Sequence, residues 1–268
     1  MKRKRVSPLN YAFAIGKIRV LEKFLIKQEV FRQAIETDLE GALRLFVEAN
    51  LYSEAFLKIK DSKELEKILD QELSKLKKLI QELLQDKGLL SLLKIDELKK
   101  TQAIIKKFPN KFLNDYVMYI IDLHNIKTFL RLYFLKESPQ NLSEQITCEG
   151  FIKKEEFLGL FSQELYAFLH RLEYVHKQAT LINYAVYLAE AIKKIEKENS
   201  FIALEKAIQD FLIQNLKPAK YLSFGPEPLL AYYFAKVNEL NLIRMIILSK
   251  LNNVSNELVT ERLNTVYA

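Results

Sequence analysis

The chain has 268 residues, 49% hydrophobic and 28% charged, with one cysteine, six glycines, six prolines and no tryptophan. That length buries a core without staples, and a lone Cys148 excludes a disulfide scaffold. Scarce turn formers argue against sandwiches, barrels and Gly-rich nucleotide loops, and the net charge of +7 lies wholly in the first 110 residues.

The chain opens on four cations, Lys2, Arg3, Lys4 and Arg5. Such a segment either stays solvated or touches phosphates or acidic lipid head groups. It reaches Lys17 after a short apolar run, without the core or cleavage site of a signal peptide. The longest stretch free of Asp, Glu, Lys and Arg is Gln178 to Ala189, well short of the ~20 residues of a spanning helix. A soluble, cytoplasmic chain that can still sit on a membrane complex is expected.

From Ser62 to Asp86, leucines and isoleucines recur at three- and four-residue steps between Lys and Glu. That pattern predicts a long amphipathic helix with one apolar stripe, and this Lys-rich helix is expected to be a solvated outer wall. Gly88 interrupts it. A second helix is expected from Leu89 or Asp96 to Lys107, ended by Phe108-Pro109-Asn110. Tyr116 to Ile121 alone resembles a strand, but the apolar pattern continues through Tyr133 and favours a buried helix. Further helices are predicted near 155–170, 173–198 and 201–215, with Asn199-Ser200 capping the last. Lys217 to Pro228 holds three of the six prolines and reads as the clearest loop.

Three segments align without gaps: YAFAIGKIRVLEKFL from Tyr11, YVMYIIDLHNIKTFL from Tyr116 and YFAKVNELNLIRMII from Tyr233. Each starts with Tyr and repeats its aliphatic positions, and the polar ones coincide too. Arg19, His124 and Asn241 are equivalent, as are Glu22, Lys127 and Arg244. On a helix those two positions lie about 60° apart, giving each copy one narrow polar arc. A weaker second element follows each copy at Asp38, Glu155 and Asn256. Repeats of this length suit related helical domains rather than a short-repeat solenoid. The resulting division is 1–110, with the basic tail, then 111–224, then 225–268 completed by packing on neighbouring segments.

Catalytic patterns are absent from the sequence. His170 and His176 are six residues apart, about 240° around a helix, and cannot chelate one metal from a regular turn. There is no GxxxxGK[ST], GxGxxG or GxSxG. Cys148 lies in ITCEGF without a histidine pattern, and Glu155-Glu156 and Asp96-Glu97 read as first-turn charges. No catalytic, cofactor or metal residue is expected.

The stretch EPLLAYYFAKVNELNLIRMIILSKLNNVSNELVTERL, from Glu227 to Leu263, resembles the C-terminal signature of the C-type subunits of V/A-type (vacuolar/archaeal-type) rotary ATPases and ATP synthases, whose counterparts in eukaryotic V-ATPases are the d-type subunits. YAFAIGKIRVLEKFLI resembles the family's opening helix, and YIIDLHNIKTFLRLYFL, with its Asp122 to Lys127 core, the middle one. Gly16-Lys17 departs from the Ala-Arg that many members carry there. The resemblance implies an all-α, funnel-shaped assembly of three similar domains with pseudo-threefold repetition. It also implies a non-enzymatic socket between the central-shaft subunits of the soluble motor and the membrane proteolipid ring, peripheral on the membrane through the complex. No cofactor and no nucleic acid are then expected. Arg19, Glu22, Lys127, Asn241 and Arg244 either line the funnel, lock neighbouring domains or form structural ion pairs. Lys236 and Glu239 match the signature and equally suit a helix–helix contact. The competing reading is a helical nucleic-acid-binding protein using its basic N-terminal region, which would lose affinity steeply with salt.

Overall fold

A computed structural model describes residues 7–49, 52–93, 97–178 and 180–268. Among them the helices run α1 (Ala12–Glu22), α2 (Gln28–Glu36), α3 (Leu39–Ala49), α4 (Ser62–Leu83), α5 (Leu98–Ile105), α6 (Lys111–Phe134), α7 (Pro139–Gln145), α8 (Lys154–Phe161) and α9 (Leu165–Glu173). A hairpin of β1 (Val175–Lys177) and β2 (Thr180–Ile182) follows. The chain then continues through α10 (Ala185–Glu198), α11 (Ile202–Leu216), α12 (Glu227–Leu251) and α13 (Asn256–Arg262). The fold is all-α, with that short hairpin as its sheet.

Contacts divide the chain into two compact units, Met1–Leu93 with Ile213–Ala268 and Lys94–Leu212, the boundary falling within α11. The three-segment division is drawn from aligned sequence patterns, whereas the two units describe packing.

In the first unit α12 is the central rod. It packs against α1, α2, α3, α4 and α13, which is why it buries residues on every side, from Leu229 and Leu230 to Ile246 and Ile247. Around it gather Phe31, Phe46, Phe56, Leu65 and Leu69. The final residues are fastened to the same core. Gln28 Nε2 donates to the Asn264 carbonyl at 3.2 Å, and the Val266 amide donates to Gln28 Oε1 at 3.0 Å. Tyr267 is buried beside them.

In the second unit α6 has the corresponding place, packed on α5, α7 and α8. Phe129 stacks on Phe168 at 4.0 Å between centroids and meets Phe157 and Phe161. Aromatic clusters of this kind add to area burial by about 0.5–1.5 kcal/mol per pair.

Local signals set several helix ends. Asp61 caps α4 by accepting the Glu64 amide at 2.8 Å, and Asn110 caps α6 by accepting the Leu113 amide at 3.0 Å. The Phe108-Pro109-Asn110 stop is therefore also the start of the next helix. Asn199, at φ 50°, closes α10, while Ser200 Oγ accepts the Ile202 amide and opens α11.

Several expectations are corrected. The 62–86 helix ends at Leu83, and its Leu65, Leu69, Leu76, Ile80 and Leu83 pack inward, largely on α12, so only its polar side is an outer wall. After Gly88 the chain runs as a 3-10 segment, Lys87–Leu93, and the helix before Lys107 spans only Leu98–Ile105. The alternative start at Asp96 lies outside the described residues. The 155–170 helix is two helices, because Glu164 adopts an extended conformation that turns Leu165 and Phe168 back onto the core. The 173–198 helix is interrupted by the hairpin. Gln178 takes a left-handed φ of 52°, and Val175 and Ile182 bury while their neighbours face out. Lys177 Nζ anchors the hairpin to Asp115 Oδ2 at 2.7 Å and to the Tyr119 hydroxyl at 2.8 Å. Three-residue strands are too short to show alternation, so these long-range anchors decide against helix.

Candidate functional site

The three aligned tyrosines, Tyr11, Tyr116 and Tyr233, are all buried, so the repeat marks inward-facing helix surfaces. Six residues beyond the second and third stand carboxylates, Asp122 on α6 and Glu239 on α12; the first copy has Lys17 there. Both carboxylates are buried and both are held by hydrogen bonds.

Glu239 Oε2 accepts the Ile26 amide at 2.7 Å, and Oε1 accepts the Tyr52 hydroxyl at 2.6 Å. Lys236, one turn earlier, also donates to Oε1 and lies over the Tyr52 ring at 4.3 Å. Burial, reinforced by Glu239, pushes the Tyr52 phenol well above its ordinary range, so it stays a donor. An ion pair this buried is costly to make and costlier to break, since either member alone would remain charged and desolvated. Lys236 and Glu239 are thus placed in the helix–helix interior of the first unit.

Among the described residues Asp122 has no such cation. Its Oδ2 accepts the Phe151 amide at 3.0 Å and the Tyr184 hydroxyl at 2.8 Å, and its Oδ1 accepts the Ile152 amide at 3.1 Å. Burial pushes its pKa up to about 7 despite those three donors. Gly150 is required beside it: a Cβ there would lie 2.2 Å from Asp122 Oδ1 and 2.8 Å from the Met118 carbonyl. Asn125, one turn along, donates to the Cys148 carbonyl at 2.9 Å. The buried Cys148 thiol has its pKa raised by burial, the opposite of an activated nucleophile. Sequence reasoning missed Asp122 as a structural centre. Its signal was available in the repeat, since it aligns with Glu239.

The polar-arc residues lie nearer the surface. Arg19 Nη1 pairs with Glu22 at 2.7 Å, while Nη2 donates to the Ala219 and Leu222 carbonyls at 2.8 Å each. Lys217 to Pro228, expected as a loop, is a 3-10 segment over Lys217–Tyr221 and an irregular 222–226 stretch before α12; Arg19 stitches this 217–226 connection to α1, and the Gly225 amide completes the stitch on the Pro8 carbonyl. Glu22 also receives the Tyr267 hydroxyl at 3.3 Å. Arg244 Nε pairs with Glu66 Oε1 at 2.9 Å, tying α12 to α4, and its Nη1 donates to Asn241 Oδ1. In the second unit Lys127 pairs with Glu205 at 2.8 Å, linking α6 to α11. So the seven residues do not converge. Arg19 with Glu22, Lys236 with Glu239, and Asn241 with Arg244 form separate clusters, and Lys127 belongs to the other unit.

An open groove of about 890 Å³ in the second unit is lined by residues that include Lys99, Lys100, Ile120, His124 and Thr147. Burial, with Lys127 and Arg131 nearby, lowers the His124 pKa. Such a lining suits contact better than proton transfer. Among the described residues, no group of three or more His, Cys, Asp or Glu is disposed to hold a metal, and no helix is long and apolar enough to cross a membrane.

Residues 91–262 match the family model described as ATP synthase (C/AC39) subunit. The C-type subunit of the V-type sodium ATPase of Enterococcus hirae is 30% identical over 155 residues, 58% of this chain and 44% of that protein. The C-type subunit of the A-type ATP synthase of Methanocaldococcus jannaschii is 29% identical over 164 residues, 61% of this chain and 40% of that one. The matched region is less than half of either relative's length.

Proposed function

This chain belongs to the ATP synthase (C/AC39) subunit family, and from that premise we propose that it is a non-catalytic central-stalk subunit of a V/A-type rotary ATPase. In this reading it is a socket that joins the central shaft to the membrane proteolipid ring and transmits torque for ATP-coupled ion transport. Three related helical domains in a funnel would give that socket its form. The chain would be cytoplasmic and peripheral on the membrane, carried there by the complex.

The observation that carries the reading is the pair of rods α6 and α12, each packed on several sides and pinned by a buried carboxylate. Torque transmission needs parts that do not deform under load, and close packing with satisfied buried polar groups supplies stiffness. Charged groups near the surface would orient a shaft during encounter more than they would hold it. Lys127, Arg244 and Asn241 are the candidates for that role.

Native mass spectrometry of the chain mixed with the central-shaft subunits of its own organism tests this. A stoichiometric complex is expected, weakened by Lys127→Glu or Arg244→Glu. Absence of any complex at low micromolar concentration, with salt-sensitive DNA binding instead, would transfer the assignment to a nucleic-acid-binding protein.

A further inference from the structure

Helix α1 is apolar on two sides, and the chain covers only one of them. Tyr11, Ala14, Ile15 and Ile18 are buried in the first unit. On the other side Leu9 is 65% exposed, Phe13 82%, Val20 55% and Phe24 39%. Spacings of four, seven and four residues place these in one stripe along the helix and its flanking turns. Gly16 borders the same stripe, where a Cβ would meet nothing within 4 Å, and the exposed Lys17, four residues after Phe13 and three before Val20, sets a cation within it. An exposed apolar stripe on a protein surface marks a contact site.

The charge of this stretch of sequence narrows what the stripe contacts. The first 21 residues contain no Asp or Glu, but they contain Lys2, Arg3, Lys4, Arg5, Lys17 and Arg19. The first carboxylate, Glu22, is engaged by Arg19 and Tyr267. Arg19 and Glu22 pair with each other, and the other charges between Leu9 and Phe24 are the cations Lys17 and Lys23. The 217–226 connection that Arg19 fastens beside α1 adds two further exposed aromatics, Tyr221 and Phe224. A partner helix would call for mixed charges at its margins. A nucleic acid would match the cations but leave Leu9 and Val20 in water. An apolar stripe in a segment with an excess of cations, and aromatics beside it, is the composition of a helix that lies in a membrane interface.

We propose that the stripe of Phe13 and Val20 on α1, extended by Leu9 and Phe24 in the flanking turns, seats in the headgroup region of an anionic lipid bilayer, with the cations of this segment drawn to the lipid phosphates. The contact belongs to this chain itself and goes beyond the rotor reading, because it requires no other subunit.

Co-sedimentation of the full chain with protein-free vesicles tests the assignment. Vesicles of phosphatidylcholine alone are compared with vesicles containing about 30% phosphatidylglycerol, enough to give the negative surface potential that recruits basic segments. Partitioning onto the anionic vesicles is expected to exceed that onto neutral ones by about tenfold or more, and to fall as salt rises. The double variant Phe13→Asp/Val20→Asp, at exposed positions, keeps the far-UV circular dichroism of the parent and loses about tenfold or more of that binding. Lack of binding to anionic vesicles would overturn the proposal. Unchanged binding by the double variant would also overturn it, reducing the effect to bulk electrostatics. If the natural chain self-associates in light scattering, and the double variant alone abolishes that or shaft capture while leaving vesicle binding intact, the stripe is a protein interface. Vesicle binding and shaft capture are separate readouts, so failure of either reading leaves the other standing.

Discussion

Helices α6 and α12 descend from one sequence pattern, and each is the rod at the centre of its own unit, yet they neutralise the same buried position differently. Both place a carboxylate six residues after a buried tyrosine, and both satisfy it with a tyrosine hydroxyl and with backbone donors from a distant segment, the Ile26 amide for Glu239 and the Phe151 and Ile152 amides for Asp122. Three residues after that tyrosine they diverge. Lys236 on α12 supplies Glu239 with a cation, whereas Tyr119 on α6 supplies none to Asp122. The unit around α6 does hold a half-buried lysine nearby, Lys177 from the hairpin, but commits it to Asp115 and the Tyr119 hydroxyl. One repeat position thus becomes an ion pair in one unit and a carboxyl poised between two protonation states in the other.

Removing the cation from α12 should have the largest effect. Lys236→Met leaves Glu239 charged and desolvated, and the first unit should lose about 3–5 kcal/mol. Amide hydrogen exchange across α4 and α12 would report it. Lys236→Met/Glu239→Gln should recover much of the loss, since the amide oxygen still accepts from Tyr52 or Ile26. If the single and double variants are equally unstable, the pair is not what sets Glu239 apart from Asp122.

The second test is pH. Asp122 has a folded pKa of about 7 against an ordinary 3.8, so between these values the folded state holds a proton that the unfolded state has released. The second unit should be most stable below about pH 4 as far as this group is concerned. It should lose stability as pH rises towards 7, by on the order of 4 kcal/mol at most. Asp122→Asn should flatten that slope in exchange-measured stability of α6. A slope unchanged in the variant would mean that the three donors, and not burial, govern the carboxyl.

Gly150→Ala probes the same centre sterically. The Met118 carbonyl cannot move aside easily, so the 149–152 loop must shift, at a cost of about 1–3 kcal/mol. Chemical denaturation followed in the second unit would show it, with little change in the first. Smallest of all should be Arg244→Ala, where a half-exposed pair with Glu66 contributes about 0.2–1 kcal/mol. A loss above that range in a double-mutant cycle would move Arg244 from surface stitching to a structural role comparable with Lys236.

How far the sequence carries depends on the range of the forces involved. Periodicity over Tyr116 to Tyr133 identifies α6 as a helix against its strand-like composition, because a buried stripe repeats every three to four residues within the segment itself. The same local logic finds α4, α11 and α12, and the repeat aligns Tyr11, Tyr116 and Tyr233. The β1–β2 hairpin was hidden because its anchors, Asp115 and Tyr119, lie far away in sequence. Lys236 and Glu239 were visible as a signature but not as a buried pair, because Tyr52 and Ile26 complete them from other segments.

By itself the sequence determined that this protein is helical and that three of its segments share a pattern of apolar positions, each opening on a tyrosine. Those properties follow from side-chain spacing along a single turn-by-turn repeat. Tertiary structure decided which charges meet, where a proton is held, and how 268 residues divide into two packed units. Those outcomes depend on pairs such as Ile26 with Glu239 and Glu66 with Arg244, whose approach is set by the packing of whole helices and leaves no periodic trace in the chain.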